Sequence, residues 1–254
     1  NYSSTNGSTN PITYMQLMLE IFDNLTRQIT QITKQQNQPY IFSCQVAAHR
    51  RYSSDTMQIA LAQWKASRKR PDFVLAAPCY MFETGPDFLH LTNESSWLMG
   101  EYKSRAMYWT MINRAEKWRP LEPVSVNWTS TEIVIKFHVP CGQLVIDNAL
   151  AATTPNGGFD LRSGSVIATN ITSVTASGDT VTIALSSPAP ADALLSYGRG
   201  REGDPAQSGP GAGPRGNLRD RHGDFDEVES PSGTSHKLHN ACVMFQYSRK
   251  TGFN

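Results

Sequence analysis

The stretch DFVLAAPCYMFETGPDFLH (Asp72–His90) decides how the first half of the chain is read. Its opening, DFVLAAPCYMF, is apolar without interruption, as a strand buried on both faces of a parallel sheet would be. Its second part, Met81 to His90, is a polar turn that carries Asp87 and His90 three positions apart.

The neighbouring segments fit that reading on both sides. Upstream, SSDTMQIALAQWKASRKRP (residues 53–71) is an amphipathic helix pattern, with a Ser or Asp start signal, basic residues in its last turn and Pro71 just beyond. Before it, PYIFSCQVAAH (39–49) is short, apolar and partly β-branched, which suits a second buried strand. Further back, Ile12, Met15, Met18, Phe22, Leu25, Ile29 and Ile32 recur at three- and four-residue steps and predict one apolar helix face. Downstream, residues 92–118 predict a third helix capped by Thr92 or Asn93. Helices alternating with strands across short connections imply an α/β layer with a parallel sheet. Ligands bind such sheets beyond the carboxyl ends of the strands. The loops after the two strands then bring Gln45 and His49 toward the same crevice as Asp87 and His90, as candidate substrate contacts.

From about residue 120 the pattern changes. TEIVIKFHVP, GQLVIDN and ITSVTASGDTVTIALSS are β-rich and alternating, with a hairpin turn at Ser177-Gly178-Asp179. This predicts a small antiparallel β-sandwich. GRGREGDPAQSGPGAGPRG (198–216) is dominated by Gly, Pro and polar residues and reads as an exposed loop. HNACVMFQYS (239–248) then reads as a strand returning to the first domain. The expected division is 1–119 for the α/β part, 120–199 for the β-sandwich, and 200–254 for the loop and return strand.

The formal charge of +1 gives no strong pull toward nucleic acid or anionic membrane. No apolar run has the length of a membrane span. The four cysteines match neither a zinc spacing nor a redox pair. His222, His236 and His239, near Asp224 and Asp226, fit no standard zinc or calcium loop, so no metal or cofactor is expected. The chain lacks an initial Met and is expected to begin inside a longer product.

Asp87 and His90 suit two thirds of a hydrolytic triad. An imidazole takes a proton from a nucleophile, and a carboxylate fixes the tautomer of that imidazole. Spacing alone favours the plainer alternative, a polar loop ahead of a helix cap. The surrounding residues add to this. DFLHLTNESSWLMGEYKSRAMYW (87–109) resembles the last conserved block of the SGNH (GDSL-type) hydrolases: Asp-x-x-His, then Leu-Thr, then a helix with Gly-Glu-Tyr. QLMLEIFDNLTRQI, PYIFSCQVAAH, IALAQWKASRKRPDFVLAAPCYMF and the closing GNLRD and HNACVMF follow in the order of the carbohydrate-esterase-like members found in bacteriophage tails.

That resemblance implies the C-terminal half of a flavodoxin-like three-layer fold with an inserted antiparallel β-sandwich. It implies His90 as general base and Asp87 as its orienting partner. The family's serine and oxyanion-hole blocks have no counterpart here, so both would come from the N-terminal half of the same domain. The resemblance further implies an extracellular phage-tail location in the virion, as a homotrimer acting on O-acetyl groups of a host surface polysaccharide. The alternatives are a non-catalytic receptor-binding or structural tail-fibre module, and a cellular sialate or xylan O-acetylesterase.

Overall fold

The computed structural model describes residues 10–52, 54–113, 117–167, 170–200 and 204–253. Helix α1 (Pro11–Thr33) starts where the Asn10 side chain accepts from the Ile12 N–H at 2.8 Å, and it ends at left-handed Lys34. Strand β1 (Ile41–Gln45), helix α2 (Gln58–Lys69), strand β2 (Phe73–Pro78) and helix α3 (Asn93–Met107) follow. β1 and β2 pair in parallel, Ile41 opposite Phe73. Every residue of β2 is buried, as its unbroken apolar run predicts. The α1 face is only partly used. Met15, Met18 and Phe22 pack inward, Phe22 stacking on Phe73 at 5.6 Å, while Ile12, Leu25 and Ile32 are exposed.

The remaining strands are antiparallel. They are β3 (Glu122–Trp128), β4 (Glu132–His138), β5 (Val145–Ile146), β6 (Phe159–Ser163), β7 (Val166–Ile167), β8 (Ile171–Ser177) and β9 (Thr180–Leu185). After these come β10 (Leu194–Tyr197), β11 (Leu218–Arg219), β12 (Glu227–Glu229), β13 (Ser235–Lys237), β14 (Phe245–Ser248) and β15 (Gly252–Phe253). One sheet has the order β3-β4-β9-β8 and a second β15-β14-β10-β6-β7, with two small two-stranded ladders beside them. In β4 the alternate residues Ile133, Ile135 and Phe137 are buried, and Phe137 meets Phe245 of β14 edge-on. The core is continuous from there into the α/β part. Trp64 of α2 touches Phe245 and Phe253, and its indole N–H donates to buried Glu122 at 2.7 Å.

These observations correct the expected flavodoxin-like three-layer fold. Among the described residues the parallel sheet has two strands, and the chain is a mixed α/β structure with several antiparallel sheets. β14, read from the sequence as a strand returning to the first domain, pairs with β10 and β15, and its Phe245 packs on Trp64 of α2. An apolar run does not declare its partner, because burial follows side-chain direction while pairing follows the backbone edge.

The Gly/Pro-rich segment, of which residues 201–203 lie outside the described residues, is largely buried from Ser208 onward rather than an exposed loop. Ser208, Gly209, Pro210, Gly213, Pro214 and Gly216 are buried. Its glycines serve close approach rather than mobility: a Cβ on Gly216 would lie 2.1 Å from the buried Tyr197 ring.

Candidate active site

β2 ends at Pro78, and a short turn, Cys79–Met81, leads into the loop that carries Asp87 and His90. The loop is pinched at its base. Thr84 bridges Leu91, the Gly85 N–H donates to the His90 carbonyl at 2.8 Å, and the Thr92 N–H donates to the Glu83 carbonyl at 3.1 Å. The Thr92 hydroxyl then caps α3 by accepting from the Ser95 N–H at 3.1 Å. At the loop's apex Phe88 takes φ +54°, a left-handed conformation uncommon for an aromatic residue. This turn folds Asp87 back over the two residues that follow Phe88.

Asp87 Oδ1 accepts from the Leu89 and His90 N–H groups, both at 3.0 Å. Its Oδ2 meets His90 Nδ1 at 2.5 Å. The imidazole hydrogen bond first, and the two backbone N–H groups after it, hold the Asp87 carboxyl down to a pKa of about 2. The carboxylate is therefore ionised at any ordinary pH. It takes the Nδ1 hydrogen and leaves the Nε2 lone pair facing outward. The His90 side chain is 82% exposed, so Nε2 is open to an incoming group. Among the described residues, no side chain hydrogen-bonds that nitrogen. Both roles weighed for this loop are thus present: a capped helix start at Thr92, and a steered imidazole just before it.

Two segments remote in sequence brace the loop. Arg51 Nε donates to the Asp87 carbonyl at 2.9 Å. The Ser208 N–H donates to the Phe88 carbonyl at 2.9 Å, and the Ser208 hydroxyl bonds the same oxygen. Gly209 sits so close to Thr84 that a Cβ there would meet its hydroxyl at 3.1 Å. Neither Arg51 nor Ser208 was marked by any motif. The signal for Ser208 was indirect, a Gly/Pro stretch whose turns are fixed by packing. A hollow of about 140 Å³ lies beneath the loop, walled by Ala47, Ala48, Leu89, Leu91 and Gly209.

Gln45 and His49 lie in the interior, not on a crevice wall. Gln45 is fully buried. Its amide donates to the carbonyls of Ala60 at 3.0 Å and Met244 at 2.8 Å, and its oxygen accepts from the Met244 N–H at 2.7 Å. It ties β1 and α2 to the start of β14. His49 is buried, and its Nε2 meets the Arg199 carbonyl at 2.5 Å. Burial, assisted by the Arg50 and Arg199 charges and opposed by that bond and by Asp55, lowers the His49 pKa to about 4. It is neutral near pH 7 and holds the entry to the 200s segment. These polar groups were placed by sequence beyond strand ends, where a ligand-facing side chain and an interior staple look alike.

No family model and no curated protein matches the chain. Among solved structures, the chain superposes on the crystal structure of a carbohydrate acetylesterase from Xanthomonas citri with a TM-score of 0.58 and 13% identity. The fold is like that of a carbohydrate acetylesterase. The match covers 94% of this chain and 47% of the acetylesterase, so the chain spans about half of that enzyme's length. At that identity the likeness is one of fold.

Proposed function

We propose that this chain is part of a carbohydrate O-acetylesterase, with His90 as general base and Asp87 as the residue that orients it. The observation that carries the reading is the Asp87 Oδ2 to His90 Nδ1 contact of 2.5 Å, together with an exposed Nε2, in an acetylesterase-like fold. The serine nucleophile is supplied by a segment outside this chain.

In acylation, His90 Nε2 takes the serine hydroxyl proton as the serine oxygen bonds to the acetyl carbonyl carbon. Collapse of the tetrahedral intermediate breaks the bond to the sugar oxygen, and the imidazolium returns the proton to that oxygen. In deacylation, water gives a proton to His90 Nε2 as its oxygen bonds to the acetyl carbon; collapse breaks the bond to the serine oxygen, the imidazolium returns the proton to that oxygen, and acetic acid leaves and ionises to acetate. Asp87 remains a carboxylate throughout and stabilises the imidazolium.

The resemblance of residues 87–109 to the last block of SGNH hydrolases supports the roles of Asp87 and His90. We further infer the setting that the likeness of the whole chain to the phage-tail members implies: a trimeric tail fibre or tailspike acting on host surface polysaccharide. The test is acetate release from O-acetylated bacterial polysaccharides by the protein that carries this chain. His90→Ala abolishes release and leaves the fold intact if the reading holds, and unchanged turnover overturns it. The open face of His90 also favours a second reading, a non-catalytic receptor-binding module. That reading requires saturable polysaccharide binding with no acetate release.

A further inference from the structure

We propose that a trough at the amino ends of β1 and β2 binds an acidic oligosaccharide, as a second glycan site on the opposite end of the sheet from Asp87 and His90. The choice of a sugar rests on the esterase reading. The site itself rests on separate observations.

A cavity of about 660 Å³ lies here, lined by Gln35, Asn37, Gln38, Tyr40, Thr110 and Lys117 among others. A hollow of about 310 Å³ shares Pro71 and Lys117 with it and extends past Arg68, Lys69 and Arg119. β2 separates this trough from the loop of Asp87 by its own length, roughly 17 Å at 3.3 Å per residue. A group bound at one end therefore does not fill the other.

Three features fit a sugar. Thr110 is 7% exposed, and its hydroxyl is buried without a hydrogen-bond partner. An unpaired buried hydroxyl is costly, so one on a cavity wall calls for a ligand or water to complete it. It belongs to a π-helical turn, Tyr108–Ile112, that widens the end of α3, and such turns gather at functional positions. Tyr40 is 41% exposed and offers a flat ring to a sugar face. Asn37 and Gln38 add polar side chains able to bond hydroxyls, while the Gln35 amide is held by the Thr33 hydroxyl and the Asn37 carbonyl.

The charge points to an acidic sugar. The two carboxylates of the trough are already occupied. Asp72 takes a two-pronged bond from Arg70 at 2.6 and 2.8 Å, and Glu122 takes Arg119 at 2.7 Å and Trp64 at 2.7 Å. Lys117 sits 5.7 Å from the Tyr40 ring centre, and burial lowers its pKa, so an anion beside it recovers lost solvation. Among the described residues, Arg68, Lys69 and Lys117 have no carboxylate within 4.0 Å; Lys117 feels the Asp72 charge from farther off, and Arg68 lies over the Trp64 and Phe253 rings. A polyphosphate is the poorer fit, because the chain's formal charge of +1 supplies no extended positive field and the trough wall keeps two carboxylates.

The experiment titrates trigalacturonate into the His90→Ala protein, with maltotriose and a single-stranded oligothymidylate as comparisons. Saturable binding of trigalacturonate is expected. Lys117→Gln and Tyr40→Ala each weaken it about tenfold, equivalent to about 1.4 kcal/mol. Thr110→Val, nearly equal in volume, weakens it severalfold with an unchanged melting temperature. No saturable binding, equal binding by all three variants, or preference for the neutral sugar or the oligonucleotide overturns the proposal. Because His90 is absent from the protein titrated, failure here leaves acetate release untouched, and loss of acetate release leaves this binding to be judged alone.

Discussion

Replacing Gln45 by Ala separates an interior staple from a substrate contact. In the folded chain the Gln45 amide satisfies the Ala60 carbonyl and both polar groups of the Met244 peptide, at 2.7 to 3.0 Å and with no solvent exposure. Truncation orphans the Met244 carbonyl and N–H, while the Ala60 carbonyl keeps its bond within α2. Each buried orphan costs about 1–3 kcal/mol, and the vacated amide leaves a void as well. Water entering that polar void offsets part of this, so about 3–5 kcal/mol is the expected loss. That is a large fraction of the total stability of a typical domain. Urea unfolding is the assay, with the midpoint falling and the slope unchanged. A loss under about 1 kcal/mol, or a stable variant whose only defect is a raised KM, refutes the interior role and returns Gln45 to the substrate.

Other outcomes follow from the same geometry. His49 has a folded pKa of about 4 against 6.5 for the free side chain, so the unfolded chain binds the extra proton between those values. Its stabilisation is full above pH 6.5 and is lost as pH falls toward 4, about 3 kcal/mol in all, and denaturant midpoints for His49→Gln should show a flatter dependence over that window. Asp87→Asn should lower kcat by about 10³–10⁴-fold while leaving the melting temperature nearly unchanged, since the pair lies at the surface. Gly216→Ala forces a methyl group to 2.1 Å from the Tyr197 ring and should cost about 3 kcal/mol in thermal or urea unfolding.

Local structure was the legible part of the sequence. The run Phe73–Pro78 is a buried strand, Thr92 caps the third helix, and Ser177-Gly178-Asp179 turns the β8–β9 hairpin, each because the signal lies within a few residues. The Asp87–His90 pair was legible for the same reason, since three positions in a tight loop suffice to bring the side chains together. Pairing across long separations was not. Nothing in HNACVMFQYS says that it enters the antiparallel sheet beside β10, and nothing in GPGAGPRG says that its glycines are there to let backbone pass a tyrosine ring. The burial of Gln45 and His49 was not legible, because polarity beyond a strand end marks a binding crevice and an internal staple equally well. Their partners, Met244 and Arg199, stand 199 and 150 residues away.

The claim on which the functional account turns is that His90 activates a serine hydroxyl. The most direct measurement is the rate at which a fluorophosphonate labels the protein that carries this chain, with the modified residue mapped by mass spectrometry. The account predicts one labelled serine, outside residues 1–254, and a labelling rate that drops at least about 10³-fold in His90→Ala. No labelled serine, or a rate indifferent to His90, contradicts it.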